Sequence, residues 1–259
     1  MAFYFILSFA FIINFIEMLN YPCKLAGAKT AKYATAISLF NIISIATRVI
    51  SLLLAPMLSK HIESSIGVST INDILYDINL IVTFSLLGSL SCYLLMNNFF
   101  GKFEVGITYL AKNTPLKMLQ RSISHIIKNE SLEQLTKSKL ISEKENTSLT
   151  FIISCICAHA LMYTGVLSAL VAGFIAPEYR MTAVQLSGVV SGVGVLILFL
   201  ICDPYIAKLI DNSIADQNKL PETVRIIKAK ALSQIIGILL AFALIKPGAN
   251  IIAFIAENL

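Results

Sequence analysis

Six stretches of this chain are apolar over lengths that can cross a membrane, which rules out most folds open to a polypeptide of 259 residues. They run approximately Phe3–Leu19, Ala34–Leu58, Ile74–Met96, Leu149–Ala176, Met181–Ile201 and Ala231–Ile255. A transmembrane helix needs about 20 predominantly apolar residues to cross about 30 Å of hydrocarbon. Within a bilayer every backbone amide must be paired inside the segment or around a closed barrel. The strand alternation a barrel requires is absent. The expected fold class is therefore all-α, a polytopic membrane protein of about six transmembrane helices forming a single domain over 1–259. Charged residues make up 14% of the chain, against about 25% in soluble domains, too few to cover a water-facing surface.

Phe3–Phe15 is long enough to be a signal-peptide core, but no Lys or Arg precedes it and no small-x-small cleavage site follows. A retained first span is expected. Sixteen of the twenty basic residues fall in alternate loops: Lys24, Lys29 and Lys32 after the first span, eight between Lys102 and Lys144, and five between Lys208 and Lys230. The positive-inside rule then places these three loops in the cytoplasm and both termini outside. Tyr21, Tyr33, Tyr109, Tyr179 and Tyr205 stand at or beyond span ends, where an amphipathic ring suits the interface.

The longest non-spanning stretch is 97–148. Thr114 followed by Pro115 reads as a helix start, with Leu116, Leu119, Ile123 and Ile126 on one face and Lys117, Arg121 and Lys128 elsewhere. Ser131 with Gln134 reads as a capping box for a second short helix. The expectation is an amphipathic cytoplasmic helical loop, lying on anionic lipid or packed on the bundle.

Polar residues inside spans carry the chemistry of such a chain, because a charge at the bilayer centre costs about 2.5–3.5 kcal/mol on insertion scales. Arg48 lies near the middle of the second span, His159 near the middle of the fourth, Glu17 toward the inner end of the first and Lys246 in the outer half of the sixth. Asp77 and Asp203 read as solvated helix ends. Guanidinium suits phosphate oxygens because it offers paired donors and stays charged. Arg48 and Lys246 would set positive charge at two depths along a crossing path, and Glu17 would hold Arg48 when no ligand is bound. Glu17 and His159 are also the candidates for proton coupling. Pro247-Gly248 reads as a break in the sixth span, and Gly188, Gly192 and Gly194 as a close-packing face. Three spans in each half would relate the halves by inversion.

No phosphate loop of the GxxxxGK[ST] type, HExxH or CxxC pattern is present, and Cys23, Cys92, Cys155, Cys157 and Cys202 read as small apolar residues. No enzyme activity, metal or cofactor is expected. Membrane lipids are the expected partners and nucleic acid is not; a homo-oligomer is left open.

The stretch Ile16–Leu58 resembles the N-terminal signature of the Amj family, bacterial lipid II flippases described as alternates to MurJ. Glu17, Lys24-Leu25-Ala26-Gly27, Lys29-Thr30, Ser38-Leu39-Phe40-Asn41, Arg48 and Ala55-Pro56 carry the resemblance. It implies a lipid II flippase that moves the polyprenyl-pyrophosphate-linked peptidoglycan precursor to the outer leaflet. Lys24 and Lys29 would attract the pyrophosphate at the inner mouth, with Arg48, Asn41 and Glu17 binding along the path. Two other classes stay open: a membrane enzyme acting on polyprenyl phosphates, and a structural subunit of a cell-wall assembly complex.

Overall fold

The computed structural model describes residues 2–111 and 149–259. All regular secondary structure among them is helical, and six helical segments are long and apolar enough to cross a membrane. The fold class is the expected one. The helices are α1 (Ala2–Met18), α2 (Asn20–Lys29), α3 (Tyr33–Ser65), α4 (Ile71–Leu94), α5 (Met96–Leu110), α6 (Leu149–Ile175), α7 (Arg180–Ile197), α8 (Asp203–Ala215) and α9 (Leu220–Asn258). A π-helical turn, Leu198–Cys202, joins α7 to α8. The anticipated loop helices at Thr114–Lys128 and Ser131–Gln134 lie outside the described residues. Residues 97–110 of the expected 97–148 loop, however, belong to α5, which packs against α2 and α3.

Hydrophobic burial divides into two clusters, one toward each end of the bundle. The first joins α2 and α5 with the adjoining ends of α1, α3, α4, α6 and α9. It lies at the end where α2, α5, α8 and the start of α9 bring the described loop lysines together, called the basic end below. The second joins the far ends of α1, α3, α4, α6 and α9. Within each half the first span packs against the other two: α1 against α4 and α3, α6 against α9 and α7. The second span of each half, α3 or α7, is the least covered by protein. Ile45, Val49, Leu52 and Leu53 on α3, and Val189, Val193, Leu196 and Phe199 on α7, are exposed. On helices of this hydropathy such faces meet lipid tails.

Several local readings need correction. Pro247 does not break the sixth span: α9 runs unbroken through it. Proline is tolerated in membrane helices when the surroundings hold the segment in place, and here Ser168 of α6 donates to the nearby Ile245 carbonyl at 2.9 Å, tying α6 to α9 beside Pro247. Gly188 and Gly192 are not packing positions, since a Cβ at either would meet nothing within 4 Å. Gly194 alone of the three packs closely, against the Ala158 carbonyl. Asp77 is not simply a solvated helix end. Its carboxylate lies 2.8 Å from His61 Nε2 on α3, and the Phe3 ring stacks on His61. A second contact, Arg180 to Glu63 at 3.5 Å, ties α7 to the same end of α3. The cleft beside it is about 90 Å³ and is lined by Ser59, Ile62 and Glu63 of α3 with Leu170, Arg180 and Val184.

Candidate functional site: a polar seam through the bundle

Helical spacing builds the site before any tertiary contact is made. On α6, His159 and Tyr163 stand four residues apart and share a face; so do Lys230 and Gln234 on α9. Asn14 and Glu17, three apart, share a face of α1. Packing then brings these faces together. A Cβ on Gly237 would sit 2.6 Å from the His159 Cβ and 2.9 Å from the Ala160 amide nitrogen, so only glycine lets α9 approach α6 this closely beside the site.

Buried polar side chains there form a chain of hydrogen bonds. Tyr21 donates to Gln234 Oε1 at 2.9 Å, Gln234 Nε2 donates to the Tyr163 hydroxyl at 3.4 Å, and Tyr163 donates to Asn14 Oδ1. Asn14 in turn donates to the Ala10 carbonyl at 2.8 Å. The seam links α2, α9, α6 and α1. Glu17 is exposed and lies close enough to Tyr21 and Tyr163 to act on both electrostatically.

Toward the basic end the seam meets three charges. Lys230 donates to Asp203 Oδ1 at 2.6 Å, and Lys24 lies 3.7 Å from the same oxygen. The Lys230 side chain is 6% exposed, Lys24 16% and Asp203 36%, so the cluster opens on the Asp203 side. Formal charge there is two positive against one negative. His159 lies within electrostatic reach of Lys230 and Asp203, and its Nε2 is buried with no hydrogen-bond partner.

The sequence-derived residues fall into separate places. Lys24 joins this cluster. Lys29, on α2, pairs instead with Glu104 of α5 at 2.9 Å. Arg48 is exposed on α3 and has no hydrogen-bond or ion-pair partner among the described residues, so the expected Glu17–Arg48 pair is not formed. It stands in line with Asn41, Ser44 and Ser51, a polar stripe beginning near Ser38 on an otherwise apolar helix. From Asn41 to Ser51 the stripe covers about 15 Å of helix at 1.5 Å per residue, half of a hydrocarbon core about 30 Å thick. Lys246 is exposed on α9, whose principal neighbours do not include α3, so it does not join Arg48. Tyr21 is buried in the seam rather than at an interface.

Sequence reading missed Asn14, Tyr163 and Gln234, and gave Lys230 to a loop. The available signal was the four-residue spacing of polar residues within apolar helices. Replacing Tyr21 with Phe tests the seam. Side-chain hydrogen bonds inside membrane proteins average about 0.6 kcal/mol and reach about 1.7. The expected fall in thermal midpoint, read in detergent, is about 2–5 °C.

These features define a polytopic helical membrane protein with a buried charged site and a polar stripe crossing part of its lipid-facing surface. The chain belongs to the Amj family, described as Alternate to MurJ, which matches residues 9–256. It is similar to the lipid II flippase Amj of Bacillus subtilis (strain 168), with 26% identity over 98% of this chain and 96% of that protein. No solved structure matches it.

Proposed function

We propose that this protein is a lipid II flippase of the bacterial cytoplasmic membrane, carrying the undecaprenyl-pyrophosphate-linked peptidoglycan precursor from the inner to the outer leaflet by alternating access. The distribution of lysine and arginine supports a basic end that faces the cytoplasm, with both termini outside. The relative's activity and membership of the same family support the substrate.

The observation that carries the reading is the stripe on α3. An unpaired guanidinium at membrane depth is costly unless it meets water, a counter-ion or an anionic ligand, and Arg48 has no protein partner among the described residues. Asn41, Ser44 and Ser51 extend it with small polar groups that can hydrogen-bond a headgroup. A phosphorylated headgroup moves along the stripe while its polyprenyl tail stays among the lipid tails that cover the rest of α3. Lys24 receives the headgroup at the basic end. The His61–Asp77 and Glu63–Arg180 contacts hold the far end of α3 shut until the protein opens outward. Glu17 and His159, both beside the seam, are the groups positioned for proton coupling. The protein acts as a transporter and makes or breaks no bond in its substrate.

The test is the accessibility of lipid II at the cell surface in bacteria depleted of their other flippase. An external toxin that cleaves only outward-facing lipid II reports it. The wild-type protein is expected to restore cleavage, and Arg48→Ala, inserted at wild-type level, to lose most of it. Full cleavage with Arg48→Ala would remove the stripe from the mechanism. No restoration by the wild-type protein would overturn the flippase reading itself.

A further inference from the structure

We infer that Lys24, Lys230 and His159 form a phosphate-binding site whose resident counter-ion, Asp203, is displaced by a pyrophosphate anion. The inference deepens the flippase reading and rests on it only for the identity of the lipid.

The geometry that points to it is an imbalance. Two lysines share a single carboxylate oxygen, Asp203 Oδ1, at 2.6 and 3.7 Å. Both lysines are more deeply covered than the carboxylate that neutralises them. Buried charge is tolerated where it is fully paired, and here one formal positive charge is left over. Within electrostatic reach of Lys230 and Asp203 is His159, 7% exposed, with an unpartnered Nε2. An unsatisfied buried ring nitrogen costs free energy without a partner. A pyrophosphate brings what the cluster lacks: more negative charge than one carboxylate, and several oxygens to serve both ammonium groups and the imidazole at once.

The way in is also defined. Asp203 is the most exposed of the three charges and begins α8, directly after the π-helical turn Leu198–Cys202. Lys24 and Lys230, by contrast, sit on α2 and α9, which pack against each other. An anion arriving from the Asp203 side meets a fixed pair of lysines and a carboxylate at a helix end. Tyr33, at the start of α3, lies within electrostatic reach of Asp203, so the cluster adjoins the end of α3 from which the polar stripe runs. The site is therefore a loading position, occupied before Arg48 is reached. The charged or titratable groups facing Asp203 are Lys24 and Tyr21 of α2, Lys230 of α9, His159 and Cys155 of α6, Tyr33 of α3 and the adjacent Cys202.

The shared ligand chemistry is the pyrophosphate group, free or attached to a lipid, and the test separates the two. Full-length protein in nanodiscs is titrated with radiolabelled inorganic pyrophosphate and, separately, with a short-chain polyprenyl pyrophosphate. Lys24→Met and Lys230→Met are each expected to weaken binding about tenfold. Asp203→Asn is expected to tighten it about tenfold, because the competing carboxylate charge is gone while the side-chain shape remains. Asp203→Glu, which keeps the charge, is expected to bind much as the wild type. This pattern with inorganic pyrophosphate assigns a site for the bare anion. The same pattern with the lipid alone assigns a site that also needs the tail. Either result supports the inference. Binding unchanged in both lysine variants overturns it, as does Asp203→Asn binding no more tightly than wild type. The lysine variants decide the matter if Asp203→Asn does not survive purification. Wild-type protein that restores toxin cleavage in cells, while both lysine variants bind as it does, would sink the loading site and leave the flippase reading standing. Failure of the loading site is thereby distinguishable from failure of the flippase reading.

Discussion

Gly237→Val is expected to lower the thermal midpoint of the detergent-solubilised protein by about 5–10 °C. The added Cβ would fall 2.6 Å from the His159 Cβ, 2.9 Å from the Ala160 nitrogen and 3.1 Å from the Ile156 carbonyl oxygen. Two of these three atoms are backbone and cannot swing aside, so α9 must move away from α6. Overpacking of this kind costs about 1–3 kcal/mol, and for a chain of this size each kcal/mol shifts the midpoint by about 2–4 °C. The cost falls on the most extensive helix pairing in the described structure and pulls apart the faces that carry His159, Tyr163, Lys230 and Gln234. Gly188→Val and Gly192→Val are the controls. Open space surrounds both positions, and no shift is expected from either. Equal shifts in all three variants would mean that loss of glycine, and not helix contact, sets the effect.

The second large effect is an inequality between two partners of one ion pair. Asp203→Leu is expected to destabilise the protein several times more than Lys230→Met. Removing Asp203 leaves Lys24 and Lys230 facing each other without a counter-ion, and stripping the partner from a buried charge costs about 3–5 kcal/mol. Asp203 is partly exposed, so solvent screens some of this, and about 3 kcal/mol is expected. Removing Lys230 leaves Asp203 and Lys24 matched one to one, at a cost of about 1 kcal/mol. Thermal unfolding in detergent at low salt reads the difference, and added salt is expected to narrow it. A larger loss from Lys230→Met would mean that the surplus positive charge is not present in the folded protein.

The architecture was legible in the sequence for a simple reason. Hydropathy is a property of consecutive residues, and crossing a membrane imposes a length on it. The site was legible only in part, because its contacts are remote along the chain. Tyr21 and Gln234 are separated by 213 positions and Tyr163 and Asn14 by 149. Hydropathy carries no information about which apolar helices become neighbours. The same limit explains particular errors. Asp203 and Lys230 were read as water-facing because each lies at the edge of an apolar run, yet α8 and α9 fold those edges onto α2. Tyr21 was assigned to an interface because it follows a span, yet α2 continues past it as a helix. Arg48 and Asn41 were recognisable because one helix carries both, and a shared face is a short-range property. The link drawn between Arg48 and Lys246 needed two helices to be neighbours, and these are not principal ones.

The turn at Leu198–Cys202 gives the fifth span one residue more than an α-helical winding would hold. At 3.6 residues per turn, a single residue corresponds to a rotation of about 100°. Everything beyond the turn is therefore phased differently from α7, and Asp203 owes its aim at the two lysines to that offset. A chain one residue shorter here would keep its hydropathy and its helix while swinging the carboxylate about a quarter-turn out of register.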